Sequence, residues 1–112
     1  IDIFYQNLKK VIEQFSNKYD YEIVFVDDGS KDNSLEVCNK YKEEDSRIKV
    51  LHQENQGPSA ARNKGIEFSC NDYIFMLDAD DYFVSSDSLE YLYNLLHVFI
   101  IYFLFSDNYY LF

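Results

Sequence analysis

The sequence has few of the features that mark secreted, membrane or zinc-binding proteins. It contains only two cysteines, Cys38 and Cys70, which are far apart and form no CxxC pair, so they fit reduced core thiols of a cytosolic protein rather than a disulfide framework or a zinc site. No basic segment followed by a small-residue cleavage site opens the chain, and no secretory signal is therefore visible. The run Val98–Phe105 is eight residues long, whereas a membrane-spanning helix needs about 20, so a buried strand is predicted there.

Basic residues are also scarce, which limits the classes of molecule that the chain is expected to bind. There are 10 Lys and Arg residues against 20 Asp and Glu residues, which gives a formal net charge of -10. Most of the surface would therefore repel a phosphate backbone, and nucleic acid is excluded as an expected partner. Low hydrophobicity, the mark of disorder, is absent too, because 47% of the residues are hydrophobic.

The length of 112 residues suits one compact domain and is too short for two. The chain starts at Ile1 rather than at Met, and no internal repeat or low-complexity linker interrupts it. We expect residues 1–112 to form a single partial domain of a longer protein, with residues 97–112 the least clearly assigned part.

Helical and extended patterns alternate along the whole chain. The strands are apolar on both faces, which is typical of a parallel sheet covered by helices. The sequence therefore predicts an α/β fold with a mostly parallel sheet. Four helices are predicted: Phe4–Phe15, a second that starts after Val26, a third from Pro58 through Ile66, and Ser88–Leu96. Ser30 or Asp32 would cap the second helix, which would bury Leu35, Cys38 and Tyr41. The predicted strands are Tyr21–Val26, Arg47–His52, Tyr73–Leu77 and Phe99–Phe105.

Carboxylates follow two of the predicted strands, as Asp27-Asp28 and as Asp78-Ala79-Asp80-Asp81. Parallel topology would bring these strand ends to one edge of the sheet, where ligands of such folds bind. Five like charges in one place repel each other unless a cation offsets them. The pattern therefore predicts a site for a hard divalent ion, Mg²⁺ or Mn²⁺.

Three ordered segments carry a resemblance to a known family. The segments IVFVDDGSKDNS (residues 23–34), RIKVLHQENQGPSAARNKGIE (residues 47–67) and DYIFMLDADDYF (residues 72–83) resemble the nucleotide-binding half of family 2 glycosyltransferases. The resemblance extends from the first helix to about Leu96 and implies the Rossmann-like GT-A fold. The usual first strand of that fold, with a Pro-x-Tyr-Asn-like end, is missing before Ile1.

The resemblance implies a nucleotide-sugar site. Asp28 matches the residue that accepts a hydrogen bond from the base, usually uracil, and Asp27 would support the same loop. Arg62 and Asn63 match positions near the donor, where a guanidinium could pair with diphosphate or base.

The aspartates of the DADD segment match the DxD motif of the family. Asp78 would reach the ribose or a metal-bound water, and Asp80 would bind the Mn²⁺ or Mg²⁺ ion that bridges the diphosphate. Asp81 would bind through water or hold the loop.

The implied activity is transfer of a sugar from a nucleoside diphosphate, with UDP the expected one, to an acceptor hydroxyl with inversion of the anomeric centre. The acceptor would be a glycan or lipid-linked molecule of polysaccharide and cell-envelope biosynthesis. We expect a cytoplasmic location and peripheral association of the full-length protein with the inner face of the membrane. The general base would lie beyond Phe112, so residues 1–112 alone are not expected to be catalytically competent.

Two alternatives from other classes stay open at the level of sequence. A phosphoacceptor receiver domain also has an acidic pair after one strand, a later strand-end Asp and bound Mg²⁺. The triple carboxylate of DADD and the AARN segment argue against it. A noncatalytic sugar- or partner-binding module is the other alternative. The two histidines, His52 and His97, are interpreted as structural.

Overall fold

A computed structural model of the chain describes residues 1–96 and 109–111. The described residues form four helices and three strands, in an α/β arrangement that confirms the predicted fold class. In chain order these are α1 (Asp2–Phe15), β1 (Ile23–Asp28), α2 (Ser34–Glu44), β2 (Ile48–Gln53), α3 (Pro58–Phe68), α4 (Ser88–Leu96) and β3 (Tyr109–Leu111).

The sheet has the order β2-β1-β3, so β1 is its central strand. β1 and β2 are parallel, as predicted, and their register pairs Ile23 with Ile48 and Asp28 with Gln53. β3 is antiparallel to β1 and pairs with Phe25, Val26 and Asp27. All six residues of β1 are buried, which explains why this strand is apolar on both faces up to its two aspartates.

Helices cover both faces of the sheet. Ile23 and Phe25 of β1 belong to the core cluster that also contains α1 residues such as Leu8 and Ile12. Val24 and Val26 point to the other face, where they pack with Ala61 of α3. Because successive side chains of a strand alternate between faces, Asp27 continues the first row and Asp28 the second.

The predicted strand Tyr73–Leu77 is wrong as a ladder-forming strand. Within the described residues this segment has only an isolated bridge, at Leu77. Its side chains nevertheless alternate like those of a strand, with Phe75 and Leu77 packed on the first core cluster and Ile74 and Met76 on the second. Both edges of the central strand β1 are already paired, with β2 and β3, so this segment has no ladder position beside β1.

Other details refine the sequence-based expectations. β1 runs two residues beyond the predicted end at Val26 and includes both aspartates. Cys38 is buried, as predicted for a core thiol, but Cys70 is exposed, so that part of the prediction is wrong. The predicted strand Phe99–Phe105 lies outside the described residues. Of the described helices, none combines the length and the apolar character that crossing a membrane requires.

Candidate functional site

The carboxyl ends of β1 and β2 place four polar side chains side by side. Asp27 is the register partner of His52, and Asp28 is the register partner of Gln53. Each pair is joined by a hydrogen bond, with His52 Nδ1 at 2.6 Å from Asp27 Oδ2 and Gln53 Nε2 at 2.8 Å from Asp28 Oδ1. The strand ends are therefore linked by their side chains as well as by the sheet.

Asp28 also holds the loop between β2 and α3. Its carboxylate accepts hydrogen bonds from the backbone N–H of Gln56 and of Gly57, each at 2.9 Å. Gly57 is the N-cap of α3, with φ 89°, and Pro58 follows in the first turn, where its missing N–H leaves no partner unsatisfied. Asp28 thus sets where α3 begins, a role that the sequence did not indicate.

The hydrogen bonds to Asp28 shift its acid–base equilibrium. Burial by itself raises the pKa of this carboxyl, because the charged form loses hydration. The bonds from Gln53, Gln56 and Gly57 favour the charged form more strongly, and they leave the pKa of Asp28 below its ordinary value. Asp28 is therefore a buried anion that is stabilised by its hydrogen-bond donors.

Gly29 lets the loops after β1 and β2 touch. Its φ of +73° lies in the left-handed region, and a Cβ atom at this position would lie 2.8 Å from the backbone nitrogen of Asn55. Both the backbone conformation and the available space therefore require glycine here. The close approach brings the DDGS turn against the QENQG loop at the carboxyl edge of the sheet.

Asp27 lies on the opposite face of β1 from Asp28 and is 3% exposed. Its Oδ1 accepts hydrogen bonds from the backbone N–H of Ser30, at 3.1 Å, and from the Ser30 hydroxyl. Its Oδ2 contacts His52. Asp27 therefore supports its own turn, as predicted from the family resemblance, and it also orients a histidine that the sequence analysis interpreted as structural.

The DADD segment closes on itself in a short turn. The Asp78 N–H donates to Asp81 Oδ2, and the Asp81 N–H donates to the Asp78 carbonyl, both at 2.9 Å. Asp78 is buried, whereas Asp80 and Asp81 are exposed. Asp81 thus holds the loop, which is one of its two predicted roles, and Asp80 has its carboxylate on the surface.

Arg62 and Asp78 come together from α3 and from the DADD turn. Both side chains are largely buried, and Arg62 Nη2 lies 3.9 Å from Asp78 Oδ1. Asn63, the next residue of α3, is exposed. The structure therefore brings two predicted site residues into contact although they are 16 positions apart in the sequence (78 minus 62).

The predicted convergence of five carboxylates on one divalent-ion site is not what the described residues show. Among residues 1–96 and 109–111, no three His, Cys, Asp or Glu side chains lie close enough together to hold a metal ion. The physical reason is that Asp27 and Asp28 are each bound by hydrogen-bond donors on opposite faces of β1. The metal-binding roles of Asp78 and Asp80 remain predictions.

A separate cavity of about 250 Å³ lies at the other end of β1. It is lined mainly by apolar and aromatic side chains, including Leu8, Ile12, Phe75 and Tyr93. No predicted site residue lines it. The chemistry-bearing residues are therefore concentrated at the carboxyl edge and not at this cavity.

Comparison with known proteins gives consistent matches. The family model described as glycosyl transferase family 2 matches residues 2–98. The chain is 48% identical over 73 residues to glycosyltransferase GlyG of Streptococcus pneumoniae serotype 4, covering 64% of this chain and 24% of the relative. It is 47% identical over 75 residues to the cholesterol galactosyltransferase of Borreliella burgdorferi, covering 67% of this chain and 21% of the relative.

A third relative matches over more of the chain. The poly(ribitol-phosphate) beta-glucosyltransferase of Bacillus spizizenii is 37% identical over 95 residues, which covers 83% of this chain and 15% of the relative. The chain therefore spans about a quarter or less of the length of these three proteins.

Proposed function

Since the chain belongs to glycosyl transferase family 2, we propose that it supplies the donor-binding part of an enzyme that transfers a sugar from a nucleoside-diphosphate sugar to an acceptor hydroxyl. The observation that carries this proposal is the organised carboxyl edge of β1 and β2. There Asp28 ties the β2–α3 loop to the end of β1. In open parallel sheets this edge is where nucleotides bind.

The donor's diphosphate needs positive charge in a chain whose formal net charge is -10. Arg62 is suited to this role because a guanidinium can bind phosphate oxygens in pairs. Arg62 is on α3 and lies near Asp78 of the DADD turn. The adjacent Asn63 is exposed and can add an amide donor. We propose that both residues contact the diphosphate side of the donor.

The DADD turn is better suited to a divalent ion that binds together with the nucleotide than to an ion that is bound by protein side chains alone. Mg²⁺ is commonly held by one or two carboxylates together with substrate phosphates, so a preformed cage is not required. Exposed Asp80 can supply one such carboxylate, and neighbouring Asp78 is the candidate for the second contact. When bound, Mn²⁺ or Mg²⁺ would offset the charge that develops on the departing diphosphate.

We propose UDP as the nucleotide, on the basis of Asp28. A carboxylate has about four acceptor positions, and three are used by Gln53, Gln56 and Gly57. The fourth is proposed to accept the N3–H of uracil. The acceptor is less defined, because the relatives are named for molecules as different as cholesterol and poly(ribitol phosphate). Inversion by direct displacement is proposed from the family resemblance.

Replacing Asp80 with Ala tests the metal-dependent part of this function. The chain is titrated with UDP in the presence and absence of Mn²⁺, and the melting temperature is followed. A ligand at about 100 times its Kd stabilises the folded state by about 2.7 kcal/mol, which a thermal scan resolves easily. We expect Mn²⁺ to strengthen UDP binding to the wild-type chain and to have no such effect in Asp80→Ala.

Asp20→Ala is the matched control, because Asp20 is also an exposed aspartate but precedes β1, at the opposite end of the strand. This variant should keep the coupling between Mn²⁺ and UDP. If Asp80→Ala binds UDP with unchanged dependence on Mn²⁺, the metal assignment is wrong. If the wild-type chain binds no nucleoside diphosphate under any condition, the donor-binding proposal itself fails.

The receiver alternative is tested by incubation with acetyl phosphate and Mg²⁺ followed by intact-mass measurement. A receiver transfers phosphate to an accessible Asp, whereas Asp28 and Asp78 are buried and 6% exposed each. We expect no phosphate adduct. An adduct mapped to either residue would contradict the transferase proposal.

A further inference from the structure

The Asp27–His52 pair is the feature of the carboxyl edge that neither the family match nor the metal hypothesis uses. The two residues occupy matching positions on β1 and β2, and His52 Nδ1 lies 2.6 Å from Asp27 Oδ2. Asp27 is almost fully buried, but the His52 side chain is 52% exposed. The Lys64 ammonium donates to the His52 carbonyl at 2.7 Å and fixes the backbone at this strand end.

The hydrogen bond determines which ring nitrogen carries the proton. A carboxylate oxygen only accepts hydrogen bonds, so Nδ1 must be the donor. In a neutral imidazole the other nitrogen, Nε2, then has a free lone pair and acts as an acceptor. Because Nδ1 faces the buried carboxylate and the His52 side chain is 52% exposed, we infer that the Nε2 edge is on the exposed side of the ring.

We propose that His52 contacts the ligand at this edge, and that Asp27 is its positioning residue. Nε2 accepts a hydrogen bond from a hydroxyl group of the donor's ribose, while the N3–H of the base is left to Asp28. This inference rests on the proposed donor-binding function. It assigns to Asp27 a task beyond support of its own turn, namely to hold the ring of His52 in one orientation and one tautomer.

If the Asp27–His52 pair served only packing, the imidazole ring of His52 would be expected to be buried. Here the acid is buried and receives two further donors from Ser30, whereas the base reaches the surface beside the DDGS turn. A buried carboxylate that orients a half-exposed imidazole is the arrangement found where a histidine must present its second nitrogen to a partner.

Two substitutions at His52 separate ligand contact from structural support. Asn places its amide nitrogen near the position of Nδ1, so His52→Asn can keep the bond to Asp27 but has nothing at Nε2. Gln is longer and can place its carbonyl oxygen near the position of Nε2. We expect UDP affinity to fall about three- to tenfold in His52→Asn, the usual effect of losing one neutral hydrogen bond, and to recover partly in His52→Gln.

A structural role predicts the opposite order, because Asn preserves the Asp27 bond and Gln does not. Equal UDP affinity in the wild type and both variants, or weaker binding by His52→Gln than by His52→Asn, would overturn the inference while leaving donor binding by the wild type intact. The two ribose hydroxyls are separated by 2′-deoxy-UDP and 3′-deoxy-UDP. The analogue that lacks the group bonded to Nε2 should bind wild type and His52→Asn equally.

The tautomer can be tested without any nucleotide. Long-range ¹H–¹⁵N correlation spectra of the neutral ring should show the His52 proton on Nδ1. The signals are assigned by their loss in His52→Asn. A proton on Nε2 in the wild type would overturn the inference whatever the nucleotide data show.

Asp27→Asn should reverse the tautomer. Its single carbonyl oxygen is expected to face the two Ser30 donors, so its amide group donates to Nδ1 and the proton moves to Nε2. We expect the spectrum to change accordingly, and UDP affinity to fall less than in His52→Asn, because a ribose hydroxyl can also accept a hydrogen bond from Nε2–H. A proton that stays on Nδ1 in Asp27→Asn would contradict the positioning role of Asp27.

Discussion

Replacing Asp28 with Asn tests whether its carboxylate holds the β2–α3 loop in place. The wild-type carboxylate uses Oδ1 for the Gln53 and Gln56 bonds and Oδ2 for the Gly57 bond. An Asn side chain has one oxygen, which can keep the first two bonds, whereas its amide group then faces the Gly57 N–H. We therefore expect the Gly57 bond to be lost and the Gln53 and Gln56 bonds to become hydrogen bonds between neutral groups. The Asn amide group and the Gly57 N–H would then be two donors that face each other.

The expected loss of stability is large for a domain of this size. Hydrogen bonds to charged groups contribute about 1.5–3 kcal/mol and neutral ones about 0.5–1.5 kcal/mol, so the free energy of unfolding should fall by roughly 3–6 kcal/mol. The total stability of a small domain is only about 5–15 kcal/mol. Urea denaturation followed by circular dichroism measures the difference. Glu43→Gln, at an exposed position of α2, removes the same charge and should change stability by no more than about 0.5 kcal/mol.

The pH dependence of this difference follows from the pKa of Asp28. Burial raises this pKa, but the bonds from Gln53, Gln56 and Gly57 hold it below its ordinary value. A carboxyl whose pKa is lower in the folded chain stabilises the fold above its unfolded pKa of about 3.9, and this stabilisation is lost as the pH falls through the folded pKa. The difference between wild type and Asp28→Asn should therefore be constant at about pH 6–7 and shrink below about pH 4.

Two results would refute this role of Asp28. One is a stability difference below about 1 kcal/mol at pH 7, which is less than a single bond to a charged group contributes. The other is a difference that grows on acidification, because protonation should remove the advantage of the carboxylate. Either result would mean that the β2–α3 loop keeps its position without Asp28.

Two further predictions concern a glycine and the thiols. Gly29→Ala should lower the free energy of unfolding by more than about 2 kcal/mol, because left-handed strain of about 1–2 kcal/mol adds to a Cβ contact of 2.8 Å with the Asn55 backbone nitrogen. Urea titration measures this, and wild-type stability would contradict it. A thiol reagent at about pH 8 should modify exposed Cys70 in the folded chain and spare Cys38 until urea unfolds it, because burial raises the pKa of Cys38 to about 11. Equal modification of both thiols by intact mass would contradict the structure.

The local elements were predictable because their causes are local. Hydrophobic residues at helical spacing indicated α1, and the single proline, Pro58, indicated the start of α3. The continuous apolar run before Asp27 indicated a strand buried on both faces, and β1 is buried throughout. The family resemblance was confirmed by the match over residues 2–98.

The predicted strand at Tyr73–Leu77 failed for a reason that is not local. Its residues alternate between the two core clusters as a strand's residues do. Both edges of the central strand β1, however, are occupied by β2 and β3, so the segment has no ladder position beside β1. Sequence pattern reports which side chains are apolar, but it does not report which edge is available.

The sequence by itself determined which residues could do chemistry, namely the aspartates after β1 and in the DADD segment, together with Arg62. Only the tertiary structure decided what each of them contacts. Asp27 meets His52, and Asp28 meets Gln53, because the parallel register aligns these residues across 25 positions of sequence. A slip of one residue in that register would send these side chains to opposite faces of the sheet and break both pairs. Register depends on the packing of whole strands against the helices, and for that reason the partners of Asp27 and Asp28 could not be read from the residues beside them.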